Sequence, residues 1–494
     1  MMGNLTSRAT WLVAGKFIAF VLSMLTPFLI ARRLDLVTIG TYKQVFMIIT
    51  SATNILPLGF ATCAYYFLPR EPARQREIVM NILIVLTAIG ITAGLTAYLF
   101  PVTLVALVGD ARITQYALYI CLIMPLAILA QGFETIVMAH QEVQLAAMFT
   151  VGIQASRTIS LFLAVVFWAT TEAIVISYLI HSLAAVFLMW FYLNSRFPEF
   201  WRHFNKELLK EQFSYALPIQ TIALMWTIQM EMHSYFVSSF FGAEALAIYT
   251  NGCFQLPIMG LISDSSTSVI IPRMTEMRKI NDDREILALV ARVMRKLAVA
   301  SIFLYCYMAT VSEPLMLFLW TSKFQASAPI FFVNITLILA TILPVDPLMR
   351  IYPEYRFFFV RFRIFLVAGT ALALWKLTPI FGPSGAIAVF VATVVFDKLF
   401  TAGAFVKILK IGRKDLSQFR DVLKIAICGA VAALSSLAVR HQTIGWSPFY
   451  VLMATGIAFT IVFVLMLLLT QIANTEEKEM IRKMLPAPLK QLIS

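Results

Sequence analysis

The sequence predicts an all-α polytopic membrane protein with about fourteen transmembrane helices. Three observations carry this. Of its 494 residues, 60% are hydrophobic and 13% charged, against roughly a quarter charged in soluble domains. Apolar runs near the ~20 residues needed to span a bilayer recur from end to end. Lysine and arginine alternate in abundance from one polar break to the next.

The apolar runs cover 11–31, 42–67, 78–100, 113–139, 145–168, 172–194, 213–240, 245–271, 297–320, 326–349, 362–377, 384–406, 422–439 and 447–472. The run at 362–377 is the shortest. With the N-terminus inside, most of the 39 lysines and arginines fall on inner segments. The outer links hold only Arg32, Arg33, Lys43, Arg112, Lys323, Lys376 and Arg440. Lys16, Arg157 and Lys398 lie within runs. This asymmetry orients both termini to the cytoplasm. It also assigns the net charge of +13 to topology and anionic lipid rather than to nucleic acid.

The first two runs are joined through Arg32, Arg33, Asp35, Gly40 and Tyr42, which reads as a helical hairpin. Asn54 and Pro57 fall near mid-span of its second arm. There an amide side chain and a freed carbonyl are costly unless they face protein or water. The arm therefore either lines a cavity or is a proline-kinked structural helix. The five cysteines lie inside apolar runs without metal-ligand spacing and read as small core residues. The first run is long and is followed by arginines, unlike a cleaved signal. The myristoylation-like Met2-Gly3-Asn4 and the sequon at Asn4 are weak patterns.

Three inner segments read as amphipathic helices on the membrane surface. One carries Ile286, Leu289, Val290, Val293 and Leu297 behind a cap at Asp282 or Asp283. The others are Trp201–Gln212 and the tail from Asn474, where Glu477 completes a capping-box spacing. No segment is large enough for a soluble catalytic domain.

The halves echo one another loosely. Leu34, Ile39-Gly40-Thr41-Tyr42, Leu56-Pro57 and Gly59 correspond to Phe241, Leu246-Ala247-Ile248-Tyr249, Leu256-Pro257 and Gly260. The spacing differs by about seven residues. Equal orientation of both members gives six spans per half, with a substrate site between the halves. The division is 1–210, 211–412, and 413–494 for two added spans and a tail.

The pattern ARRLDLVTIGTYKQ … LPLGF … YYFLPRE resembles the start of polysaccharide-export flippases of the multidrug/oligosaccharidyl-lipid/polysaccharide exporter superfamily. ALPI at 216–219, SSFFGAEALAIYTNG at 238–252 and IIPRMTEMR at 270–278 are similar to its second half. LTPIFGPSGAIAVFVATVV at 377–395 resembles the family's Gly-rich turn before the twelfth span. The likeness covers roughly the first 400 residues. It implies two six-helix lobes in a V-shaped transporter and lipid-linked oligosaccharide as cargo. It also implies a cytoplasmic-membrane location and, as partners, membrane lipids and a polysaccharide polymerase or export machinery. Spans 13 and 14 occur in some members, where they extend a lipid-facing groove. No cofactor or metal is implied.

A polyprenyl diphosphate cargo needs cations, and its sugars need polar and aromatic partners. Charges within spans are functional candidates by default. Lys16 and Arg157 are the candidate diphosphate contacts. The plainer readings are snorkelling for Lys16 and an interhelical ion pair for Arg157. Arg32 and Arg33 fit snorkelling at the outer interface better than binding. Asn54 and Gln255 are candidate sugar contacts, with Gln154, Asn251, Trp226 and Tyr249 behind them. Asp346, Glu134, Glu231 and Asp264 are candidates for ion coupling. Asp397 is better read as a structural pair with another helix, and His181 as a core hydrogen-bonding residue. Pro57, Pro125, Pro257 and Pro344 are bending points or static kinks. With no nucleotide-binding loop in the chain, an ion gradient or the membrane potential is the expected driving force. Two further readings stand: a drug or cation antiporter of the same superfamily, and a membrane glycan polymerase, which the short outer links disfavour.

Overall fold

The computed structural model describes residues 26–255, 257–280, 283–412 and 415–470. Among them are 17 α-helices and no strand. Nine helices among the described residues are long and apolar enough to cross a membrane, with Phe357–Ile408 counted once. The predicted run at 11–31 lies mostly outside them. Chain contacts gather residues 1–250 with 374–382 in one compact unit, and 251–373 with 383–494 in another.

In the first unit, α1 (Leu36–Ile55) starts at Asp35. Its carboxylate accepts the N–H groups of Val37 and Thr38 at 3.2 and 3.3 Å and the Thr38 hydroxyl at 2.5 Å, answering donors that a helix start leaves open. The Thr38 hydroxyl is the main reason that the Asp35 carboxyl is held below its ordinary 3.8. The helix ends at Ile55, ahead of Pro57 where the sequence reading expected a kink, with Leu58 and Gly59 in left-handed conformations. The Pro57 and Gly59 carbonyls accept the Phe60 and Thr62 N–H groups at 2.8 and 2.9 Å. The chain resumes as α2 (Ala64–Arg70), α3 (Gln75–Leu99), α4 (Pro101–Val108), α5 (Ala117–Ala139), α6 (Val143–Phe167), α7 (Thr171–Arg196) and α8 (Lys206–Gly252).

Close backbone approach organises this unit. Without a hydrophobic drive between helices in lipid, small residues that admit tight packing hold them together. Gly90 and Gly94 put α3 against the backbone of α5, where a Cβ would lie 2.5 Å from Pro125 and 2.6 Å from Cys121. Gly40 of α1 meets the carbonyl of Ala243 so closely that a Cβ would sit 1.9 Å from its oxygen. That carbonyl follows a reversal: α8 folds back at Gly242, φ 77°. His233 and Tyr249 would be about 24 Å apart on a straight helix, yet the Tyr249 hydroxyl lies 2.8 Å from His233 Nδ1.

The second unit holds α9 (Pro257–Lys279), α10 (Asp283–Thr310), α11 (Ser312–Trp320), α12 (Ala328–Asn334), α13 (Leu337–Ala340), α14 (Val345–Ile351), α15 (Arg356–Ile408), α16 (Arg420–Gln442) and α17 (Pro448–Leu469). The run at 326–349 is broken into α12, α13 and α14, with irregular backbone before Asp346 as its prolines predict. α15 folds back at Gly382, φ 67°, so that the Phe362 and Phe400 rings stack at 3.9 Å. α16 and α17 pack on α10 through Ile302, Cys428, Ala432, Phe459 and Phe463.

The internal echo has a structural counterpart. Each member begins after a short reversal, at Asp35 or Gly242, and breaks near a Leu-Pro pair. The first break follows the 20 residues of α1. The second comes sooner, after Gly252, and the Asn334 amide donates to the Phe254 carbonyl at 3.1 Å. Two expected surface helices are instead the first turns of spans. Nothing between Asp283 and Thr310 interrupts α10, and Ile286, Leu289 and Val290 are buried against Ile270 and Leu348. Likewise α8 starts at Lys206 with Leu208 and Gln212 buried. The apolar stripe was legible; what covers it is protein. The tail from Asn474 lies outside the described residues.

Replacing Gly40 by Val is expected to destabilise the protein by about 1–3 kcal/mol through overpacking, read as a lowered Tm in detergent. Gly152→Ala, which meets nothing within 4 Å, leaves Tm unchanged. Asp35→Ala is expected to cost about 1 kcal/mol as a lost cap. Because the folded carboxyl titrates below 3.8, the cap's contribution is present above that pH and is lost as pH falls through the folded value. The Tm difference between Asp35→Ala and the parent should therefore shrink at low pH.

Candidate functional site

α1 carries polar and aromatic side chains on more than one face, at 100° per residue. Tyr42 and Phe46 share one side, and Gln44 and Ser51 another. On the first side stands Arg157 of α6. Its guanidinium carbon lies 5.9 Å from the Phe46 ring centroid and 5.3 Å from that of Tyr178 on α7. Tyr42 and His181 lie within its field. His181 is buried, its Nδ1 2.9 Å from the Ser156 hydroxyl. Among the described residues no carboxylate is within ion-pair distance of Arg157. The alternative of an interhelical ion pair is thus not realised there. Cation–π contacts contribute about 0.5–2 kcal/mol but leave the positive charge in place. A guanidinium so held suits a phosphate or carboxylate, which it can meet with two parallel N–H donors.

On the other side stands Glu231 of α8. Its Oε2 accepts the Ser51 hydroxyl at 3.1 Å, and the Asn54 amide also faces it. The Asn54 carbonyl oxygen accepts from Gln131 of α5 at 3.1 Å. Tyr235, one turn beyond Glu231, donates to the Met47 carbonyl at 3.2 Å. Nearer the start of α1, the Gln44 amide donates to Ser238 at 3.0 Å, and Ser238 donates to the Val108 carbonyl at 2.8 Å. The result is a half-buried acid among hydroxyl and amide groups, suited to taking a proton or to meeting sugar hydroxyls.

The other sequence candidates are scattered. Lys16 lies outside the described residues. Arg32 is exposed and donates to the Phe28 carbonyl at 3.1 Å, while Arg33 is exposed. Glu134 is exposed on α5 near Tyr65. In the second unit, Gln255 is exposed in the break before α9. Asp264 belongs to α9, its side chain outside what is described. Asp346 pairs with Lys398 at 2.8 Å. Asp397, 3% exposed, pairs with Arg363, 9% exposed, at 3.1 Å. The interhelical pair expected for Asp397 is present, between the arms of α15. Arg363 stands two turns into a helix that begins at Arg356, ahead of the run at 362–377. The sequence reading did not single out Ser51, Gln131, Phe46 or Tyr178. Gln131 was visible as a lone amide in the run at 113–139. The aromatics carried no signal in a chain that is 13% aromatic.

The fold is similar to solved transporters. Lipid II flippase MurJ in an inward closed conformation matches with a TM-score of 0.74 at 14% identity, over 92% of this chain and 97% of that one. An inward-facing multidrug resistance MATE family transporter of the MOP superfamily matches at 0.59 and 14% identity, over 80% and 96%. The Vibrio cholerae MATE transporter VcmN matches at 0.53 and 15% identity, over 83% and 99%. No curated protein matches the sequence. The resemblance drawn from the sequence motifs stands, and the model of one family matches residues 5–278, more than half of the chain. The chain belongs to the polysaccharide biosynthesis protein family.

Proposed function

We propose that this protein is a flippase of the cytoplasmic membrane that moves polyprenyl diphosphate-linked oligosaccharide outward for cell-surface polysaccharide synthesis. One observation carries the reading: an arginine that has no acidic partner among the described residues and packs against two aromatic rings on a membrane-spanning helix, in a member of a polysaccharide biosynthesis family with the fold of a lipid II flippase. An unneutralised cation at that depth is costly to keep, and a diphosphate would neutralise it. Arg157 meets the diphosphate, with Lys16 as the second cation. Asn54 and Gln255 meet sugar, and Arg32 and Arg33 meet the outer headgroup region. The lobes at 1–210 and 211–412 alternate access, with 413–494 appended and both termini cytoplasmic. An ion gradient drives the cycle, for which Glu231 is the best-placed acid, ahead of Asp346, Glu134 and Asp264. The polymerase or export machinery receives the product.

A second reading, a drug or cation antiporter, is favoured by one observation: Glu231 sits half-buried beside Ser51 and Asn54 with no cation opposite among the described residues.

In a strain lacking the protein, complete polyprenyl diphosphate-linked units are expected to accumulate on the inner face while surface glycan is lost. Unchanged lipid pools with altered sensitivity to cationic drugs would establish the antiporter instead. Arg157→Ala should insert normally and lower export at least ~10-fold, the loss of one charge-assisted contact of about 1.5–3 kcal/mol. Arg157→Lys should restore part of it. Export at the parental rate in Arg157→Ala would remove this residue from the mechanism. In proteoliposomes, Glu231→Gln should abolish the dependence of transport on an imposed pH gradient.

A further inference from the structure

Within the first unit, α1, α3 and α4 line an open cavity of about 780 Å³. The sequence of α3 explains why it exists. Gly90 and Gly94 draw one face of α3 onto the backbone of α5. Around the rest of α3 stand Ala88, Thr92, Ala93 and Thr96, short side chains that line the gap together with Ile48, Ala52 and Leu104. Tight packing on one side of the helix leaves a void on the other.

The walls are apolar in effect. Thr96 turns its hydroxyl onto the Thr92 carbonyl at 2.8 Å, and Thr103 onto the Phe100 carbonyl at 2.7 Å. A roomy apolar cavity takes apolar guests rather than ordered water, and this volume lies within the range of ligand pockets, ~300–1,000 Å³. It opens among exposed apolar side chains. Leu56 and Leu107, both lining it, are 40% and 48% exposed, and Ile91, Leu95, Leu99 and Val102 are exposed beside them. Ser51 and Tyr235 also line it, and Ser51 bonds Glu231. The cavity thus adjoins exposed apolar side chains and the polar cluster on α1 together, the combination that a lipid with a polar end requires.

We propose that this cavity holds the polyprenyl chain of the carrier lipid, admitted sideways from the bilayer, with its polar end emerging beside Ser51 and Asn54. The proposal rests on the reading of the cargo as polyprenyl-linked. It places the tail in the N-terminal unit rather than in the lipid-facing groove expected at the last two helices.

The test uses the purified full chain in nanodiscs and a polyprenyl phosphate bearing a diazirine on its prenyl chain. Photolysis is expected to label peptides containing 48–56 and 88–97. Ala93→Phe and Ala52→Phe, which fill the void, should each lower that labelling at least tenfold, with size-exclusion profiles unchanged. Should either variant fail to fold, the smaller Ala88→Leu serves in its place. Excess unlabelled polyprenyl phosphate should compete, and excess diacyl phosphatidate should not. Labelling elsewhere, undiminished labelling in the filled variants, or equal competition by phosphatidate would each overturn the proposal. Because no transport is read, the outcome is separable from the deletion-strain result. Correct labelling with unchanged lipid pools would remove the export reading and keep the prenyl site. Lost export with labelling elsewhere would do the reverse.

Discussion

In hydrocarbon, every backbone amide and carbonyl must be answered from within the chain, and the breaks in this fold follow that constraint. Where Pro57 stops α1, the exposed carbonyls are taken by Phe60 and Thr62, and the Thr62 hydroxyl adds a bond to Gly59 at 2.7 Å. Where the chain breaks after Gly252, Asn334 reaches back to the Phe254 carbonyl. At Gly242 and Gly382 a single residue reverses the helix, which leaves few groups to satisfy. The positive φ is affordable there because glycine has no Cβ.

The same economy governs charge. Buried charges are tolerated when paired, and Arg363 with Asp397 in the second unit follows that rule; the more exposed Lys398 with Asp346 and Arg440 with Glu313, at 2.9 Å, are paired as well. The first unit departs from it. Arg157 is held by two aromatic faces and Glu231 by a hydroxyl and an amide, and among the described residues neither faces an opposite charge. Charges that a fold neutralises internally hold helices together. Charges it leaves unneutralised are available to something that arrives. This contrast distinguishes Arg157 and Glu231 from Arg363, Asp397, Lys398 and Asp346 more sharply than their positions in the sequence do.

What was legible in the sequence follows from which forces are local. Hydropathy and prolines act within a few residues, so the runs, the break at Pro57 and the irregular backbone before Asp346 could be read directly. Helix continuity at 283–310 was misread because an amphipathic stripe records that a face is covered, not whether lipid or protein covers it. The site was half legible. Arg157, Asn54 and Glu231 stand out as polar residues in apolar runs. Their partners Phe46, Tyr178 and Ser51 do not, because an aromatic or a serine in a span is ordinary until a distant helix brings a charge to it. The cavity was invisible, since the consequence of Gly90 and Gly94 depends on which helix they approach.

α1 ties these features together. Phe46, Ser51 and Asn54 lie on one uninterrupted helix, between a cap at Asp35 and a break at Pro57. Phe46 helps hold Arg157, while Ser51 and Asn54 attend Glu231. Ser51 also closes the end of the cavity. A change at one of these places that shifts α1 must therefore change the surroundings of the others. A ligand can move such an element only to the extent that it prefers one position over another. A diphosphate drawing on Arg157, or a proton removing the charge of Glu231, would supply that preference from opposite sides of the same helix. Coupling between cargo and ion then needs no relay across the protein, only one rigid helix that both sites grip.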